Sequence, residues 1–187
     1  MNARPLIDNA RLAMFIFIGT ELMLFAGLVS ATLVLRAGMP AWPPPGLPVL
    51  PVGRTLLHSG ALLASAVTMH LALWAVRHDR QDAFRRALGV TALLGLGFLA
   101  GQGGEWGRLL GFGLRLSSGV YGGLFYTLIG LHALHVTGAV LWLLELCRRA
   151  GRGRYGASAH LGPSLCGMYW TFVVLLWPVL FAVVYLP

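Results

Sequence analysis

Four side chains in this sequence have types that could do chemistry, and all four sit in or at the end of long apolar runs: Glu21, Glu105, His132 and His135. A charge at mid-bilayer costs about 2.5–3.5 kcal/mol on insertion scales, so each should face protein or water. His132 and His135 stand three residues apart in LFYTLIGLHALHVTGAVLWLL and share one helical face. Tyr126 and Thr127 precede them, and Ala139 and Trp142 continue the stripe. Three chemistries compete for the pair. Haem ligation needs an axial residue on each side of the iron, and two rings on one face cannot sandwich a porphyrin. Each ring would have to pair with another span, where His58 and His70 are the candidates. A metal site shared with the glutamates lacks the Glu-x-x-His repeats of di-iron bundles. The third reading is of neutral rings that hydrogen-bond across helices and set a bundle geometry or an interface.

Glu21 lies about ten residues into the first apolar run. At 100° per residue, Met14, Phe25, Leu28 and Thr32 share its face, which should turn inward. Burying an unpaired charge is expensive, so the acid should be protonated or paired. A packing role and a proton-coupled role are both open. Glu105 stands near the end of the third run, in GQGGEW, with Gln102 one turn before it. There a solvated or capping acid is inexpensive. Glu145 precedes Arg148 and Arg149 by three and four residues, a surface pairing worth a few tenths of a kcal/mol. The chain shows no nucleophile with a base, no phosphate loop and no full metal ligand set. Cys147 and Cys166 are too few for a disulfide framework or a zinc site.

The elements that must position these residues are transmembrane helices. Of 187 residues, 57% are hydrophobic and 11% charged, against about a quarter charged in soluble domains. Five apolar segments are long enough to cross a hydrocarbon core about 30 Å thick: about 12–35, 55–76, 88–106, 121–146 and 163–186. The first runs past twenty residues without a small-residue cleavage site and reads as a retained span, not a signal peptide. Helices satisfy their own backbone in lipid. The expectation is all-α: a polytopic membrane protein in one domain over 1–187, a bundle of five helices.

All 14 basic residues are Arg, for a formal charge of +8. They lie between the apolar blocks and not on one basic face, so topology explains them and nucleic acid binding does not. Arg4, Arg11, Arg77, Arg80, Arg85, Arg86, Arg148, Arg149, Arg152 and Arg154 fall on one side. Arg36, Arg54, Arg108 and Arg115 fall on the other. The positive-inside rule then puts the N-terminus in the cytoplasm and the C-terminus outside. The first outer loop, AGMPAWPPPGLPVLP, cannot be helical through Pro43–Pro45 and should run extended. Arg36, Trp42 and Trp106 suit interfacial anchoring. Gly97 and Gly101 form a small-xxx-small pair that would let a neighbouring helix approach.

Five motifs, in order, resemble subunit III of the haem–copper oxygen reductases, the cytochrome c oxidase subunit III family. FIGTELMLFAGLVSATLVLR is similar to that family's first shared span, with its acid at Glu21 and its closing Arg36. AWPPPGLPVLPVGRTLLHSGALLASAVTMHLA resembles the proline loop and the span ending Val-Thr-x-His, here His70. LGLGFLAGQGGEW resembles the Phe-Leu, Gln and Glu-aromatic end of the next, and FYTLIGLHALHVTGAV the Phe-Tyr-x-Leu-x-Gly-x-His-x-Leu-His-Val signature. MYWTFVVLLWPVLFAVVYL resembles the last span. The resemblance covers almost the whole chain. Two departures stand out: the family's Tyr-Trp-His-Phe-Val-Asp reads Tyr169, Trp170, Thr171, Phe172, Val173, Val174 here, without the His and the Asp. Pro178 lies inside that span, where it should kink the helix.

The resemblance implies a non-redox accessory subunit that binds no cofactor itself. Haem and copper would reside in a partner catalytic subunit I, which reduces oxygen to water, with subunit II beside it and membrane phospholipids as further partners. Long family members have seven spans; this chain resembles the short form with the last five. The first two spans of the long form help build a lipid-filled cleft, which here would need helices from a partner. The expected site is an inward polar cluster, or a subunit or lipid interface, of Glu21, Glu105, His132, His135, Tyr126, His70 and Gln102. The expected location is a bacterial inner membrane. Relatives that serve nitric oxide reduction tend to carry Asp at the position of Glu21, which favours the oxidase. A stand-alone transporter would predict inverted repeats and broken helices, and neither is present in the sequence.

Overall fold

The computed structural model describes residues 9–48 and 50–186. Arg4, counted above among the basic residues of the N-terminal side, lies outside them. Five helices follow in order: α1 (Asn9–Ala37), α2 (Val52–Arg77), α3 (Gln81–Gly111), α4 (Gly119–Gly151) and α5 (Leu161–Tyr185). All five are long and apolar enough to cross a membrane. Helices α1 to α4 each contain one of the expected spans and outrun it, and α5 starts two residues before the fifth span and ends one short of it. The largest difference is at α3, which starts at Gln81 and not near Leu88. Its first two turns carry Asp82, Arg85 and Arg86, residues that water solvates. Hydropathy marks where lipid begins, whereas a helix continues past it while its hydrogen bonds do.

Four of the five helices carry Arg in the last turn: Arg36, Arg77, Arg108 and the pair Arg148 and Arg149. A cation there meets the negative end of the helix dipole. Helix α5 has none. Arg36 supplies it from the end of α1, donating from Nη1 to the carbonyls of Val183 at 3.0 Å and Leu186 at 2.9 Å.

Helices α2, α3, α4 and α5 each pack against the next, and α2 meets α5 to close the ring. Helix α1 leans on α5 and, over a smaller area, on α4. It buries only Phe25 and Thr32 fully. Water drives no association between helices inside lipid, so packing and interhelical hydrogen bonds must hold such a ring. The α2–α5 seam shows both. Trp177 Nε1–H donates to Ser59 Oγ at 2.7 Å, and Trp170 Nε1–H to Ser65 Oγ at 3.1 Å. Thr68 and Thr91 join α2 to α3 hydroxyl to hydroxyl at 2.7 Å.

Glycines set the distances between helices. A Cβ at Gly95 would lie 2.6 Å from the Trp170 ring, and one at Gly101 would collide with the His58 ring. Gly97 meets nothing within 4 Å. Of the small-xxx-small pair read from the sequence, one glycine is therefore at a helix contact and the other faces open space.

The proline loop departs from the extended run expected of it. It is non-helical, but it turns, with Leu47 N–H bonded to the Pro44 carbonyl at 3.2 Å and Gly46 at φ 86°. Positive φ suits glycine, and the turn folds the loop back over the bundle. Trp42 then packs edge-on against Tyr121 of α4 at 4.7 Å, with the Arg36 guanidinium 5.4 Å from its ring. At the opposite end the two Arg-rich connections lock together. Asp79 Oδ1 accepts from Ala157 N–H at 2.7 Å, and Gln81 Nε2–H donates to the Tyr155 carbonyl at 2.8 Å. Helix α5 runs unbroken through Pro178, whose ring faces outward.

Candidate functional site

The seven polar residues singled out in the sequence do not form one cluster. They divide between mid-bundle, the end of the bundle where α2 begins, and the outside of α2.

At mid-bundle, α1 and α4 place Glu21 against His135. His135 Nε2 lies 2.8 Å from Glu21 Oε2, and both side chains are largely shielded. The other ring nitrogen, Nδ1, lies 2.7 Å from the Leu131 carbonyl one turn back. A carbonyl only accepts, so Nδ1 carries a proton. One further proton lies between Nε2 and Oε2. On nitrogen it makes an imidazolium–carboxylate pair; on oxygen, an acid donating to a neutral ring. Both arrangements leave the pair neutral overall, and a net buried charge is what an apolar interior penalises most. The arrangement can therefore hold or relay one proton at little cost in solvation. Phe25 of α1 closes one side, its ring 5.2 Å from His135.

His132 shares the face of His135 by spacing, yet its surroundings differ. It is fully buried. It stacks on Trp177 at 5.1 Å and 26°, with the edges of Phe25 at 6.4 Å and Phe98 at 6.2 Å around it. Neither ring nitrogen has a hydrogen-bond partner among the described residues. The expected hydrogen bonding across helices is thus present at His135 and absent at His132, where an aromatic box takes its place. The reason is geometric: three residues turn a helix by about 300°, so rings i and i+3 diverge by about 60°.

At the α2-starting end, α3 aims Glu105 inward, and it is fully buried. Tyr185 O–H donates to Oε1 at 2.9 Å and Thr55 O–H to Oε2 at 2.7 Å. The Thr55 hydroxyl also lies 3.0 Å from the Pro51 carbonyl, a second and longer acceptor for the same proton. Gln102 Nε2–H reaches the Tyr185 oxygen at 3.4 Å, and His58 Nε2 stands 3.5 Å from Oε2. Glu105 thereby ties α2, α3 and α5 together. The solvated or capping role expected near a helix end gives way to a buried one, because the C-terminal part of α3 faces α2 and α5 there.

Thr55, His58 and Tyr185 are neighbours of Glu105 that the sequence did not expose as such. Their only signal is depth: in antiparallel helices the start of α2 and the ends of α3 and α5 lie at one level. Tyr126 is a half-buried member of the same end and donates to the Leu114 carbonyl at 2.8 Å. Its ring meets Trp106 edge-on at 5.8 Å. Trp106 and Gln102 line a hollow of about 240 Å³ between α3 and α4, and Trp106 Nε1 and Gln102 Oε1 lack partners there among the described residues.

His70 sits apart, exposed on α2, with Nδ1 2.7 Å from the Ala66 carbonyl. Where the family's last span carries His and Asp, Thr171 O–H donates to the Gly167 carbonyl at 2.8 Å, and Val174 is buried apolar packing. Among the described residues, no group of three or more His, Cys, Asp or Glu side chains is placed to hold a metal ion.

The whole chain matches known proteins. A family model described as cytochrome c oxidase subunit III matches residues 3–187. The chain is 36% identical over 180 residues to a cytochrome c oxidase subunit 3 of Synechocystis, covering 96% of this chain and 76% of that one. It is 35% identical over 183 residues to the protein of the same description from Thermostichus vulcanus, covering 96% and 88%. Against a probable cytochrome c oxidase subunit 3 of Mycobacterium tuberculosis it is 32% identical over 171 residues, covering 91% and 84%.

Proposed function

Because the chain belongs to the cytochrome c oxidase subunit III family, we propose that it is the non-redox accessory subunit of a proton-pumping aerobic terminal oxidase. It docks beside the catalytic subunit I and subunit II in a bacterial inner membrane, as one domain, with its N-terminus in the cytoplasm. Haem and copper belong to the catalytic partner. The observation that carries this reading is the match over the full length together with the neutral Glu21–His135 pair, whose acid stands where the family's first shared span has one. A pair that holds one proton without net charge suits a subunit that supports proton uptake. The greater share of Arg at the end holding Arg11, Arg77 and Arg148 supports the orientation. Bound membrane lipid completes the role.

Deleting the chain while keeping the catalytic subunits tests the role. The remaining oxidase is expected to start at near-normal rate and to lose activity during sustained turnover several-fold faster than the complete complex. Unchanged lifetime and proton uptake would exclude the supporting role. Reporter fusions in 78–80 and 112–118 test the orientation: cytoplasmic signal from the first loop and external signal from the second are expected, and the reverse pattern would invert the topology.

A further inference from the structure

Besides Glu21 and His135, the fold brings a second acid and imidazole together: Glu105 of α3 and His58 of α2. Glu105 is fully buried, and His58 is its one ion-pair partner among the described residues, with Nε2 3.5 Å from Oε2. An uncompensated carboxylate there would be a net buried charge, so the two groups hold one proton between them. An imidazolium–carboxylate hydrogen bond spans about 2.7–2.9 Å. The gap here is longer, so the proton rests on the carboxyl and the ring is neutral. The ring has a built seat. Gly101 precedes Glu105 by four residues and shares its face of α3. A Cβ on Gly101 would collide with the Nδ1 edge of the imidazole, so the glycine makes room for it. Phe98 meets the ring edge-on at 5.8 Å. With Nδ1 against Gly101, Nε2 is left facing Glu105, buried and without a hydrogen-bond partner among the described residues. The ring is also the member of this network nearest to water. Thr55, Gln102, Glu105 and Tyr185 are buried, whereas the His58 side chain is 10% exposed and lies six residues into α2, about 9 Å from its start. The Tyr185 oxygen is engaged on both sides, donating to Glu105 and accepting from Gln102. A further charge that acts on the ring is Arg108, in the last turn of α3.

We propose that His58 and Glu105 form a proton-exchange site, in which the imidazole passes protons between the aqueous phase at the proline-loop end of the bundle and the buried carboxyl. Imidazole suits this because it takes a proton on one nitrogen while releasing one from the other. On the way in, water gives a proton to Nδ1 and the Nε2 proton passes to Glu105 Oε2. The ring is neutral before and after, and the carboxyl gains the one proton that the solvent loses. The new tautomer presents its Nε2 lone pair to the acid, so the way out is the same path reversed. The site is made of this chain's own helices, and it goes beyond the subunit reading without depending on it.

The test is infrared spectroscopy of the full chain, purified in mild detergent and moved from light to heavy water. A carboxylic-acid C=O band that Glu105→Gln removes should be present and should shift as its proton is replaced by deuterium. Glu21→Gln sets apart any band of the other acid. His58→Phe and His58→Gln fill the same seat without a relay, and each should slow the shift at least about tenfold, whereas Tyr185→Phe should change it by less than about twofold. Circular dichroism should show unchanged helix content in all of them, and His58→Gln carries the comparison if the phenyl ring disturbs the fold. A chain with no acid band assignable to Glu105, or an undiminished rate in the His58 variants, overturns the proposal. So does a Tyr185→Phe variant slowed as much as they are, since the proton would then travel by the tyrosine.

Discussion

His135 Nε2 and Glu21 Oε2 lie 2.8 Å apart, joining α4 to the otherwise lightly held α1. Truncating either partner leaves the other half-buried without its hydrogen bond. Glu21→Ala and His135→Ala should each destabilise by about 1–3 kcal/mol. The double variant should lose less than the sum, with a coupling of at least about 0.5 kcal/mol. Denaturant titration of the four proteins in mixed micelles reads this cycle, and strict additivity would mean the pair does not couple the helices.

Glu105 should be a sensitive polar position. Glu105→Ala removes the acceptor of the Tyr185 hydroxyl and the nearer acceptor of the Thr55 hydroxyl, which keeps the Pro51 carbonyl, for a loss of about 1–3 kcal/mol from the one orphaned group. Glu105→Gln keeps an acceptor oxygen and should cost less than half of that. The same titration distinguishes them, and equal losses would show that the acceptor oxygen kept by Gln does not replace the acid.

His132 predicts the opposite. Its nitrogens have no partners among the described residues, and its ring stacks on Trp177. Replacement by an apolar ring removes unsatisfied groups and keeps the stacking, so His132→Phe should be neutral or stabilising within about 1 kcal/mol. A melting temperature lowered by many degrees would reveal a hydrogen-bond role for this ring.

Glycine positions separate by contact. Gly95→Ala pushes a methyl into Trp170 and Val140 and should cost about 1–3 kcal/mol, as overpacking does. Gly97→Ala meets open space and should be neutral or slightly favourable. Thermal midpoints of the two variants check the pair; similar shifts would contradict the close approach of the Trp170 ring to Gly95.

How much was legible in the sequence follows from what lipid enforces. Twenty apolar residues in a row announce a span, so the five helices could be counted. Their ends could not, because Arg85 and Arg86 continue α3 beyond the apolar run. The buried face of α1 could be drawn from Glu21 at 100° per residue, and Phe25 and Thr32 are indeed its two buried residues. Partners across helices were a different matter. Nothing local to Glu105 names Thr55, fifty residues earlier, or Tyr185, eighty later. Ser59 and Ser65 look like ordinary small residues until α5 brings two indoles to them. The divergence of His132 from His135 likewise depends on which neighbour each ring meets, and spacing alone does not supply that.

The most direct test of the account is to tag this chain, purify it from membranes in mild detergent and record a reduced-minus-oxidised spectrum before and after its separation from its partners. The account predicts a haem–copper catalytic subunit co-eluting in equal amount, haem bands in the complex, and none on the separated chain. A chain that elutes without any haem-containing subunit, or that keeps stoichiometric haem when alone, would contradict it.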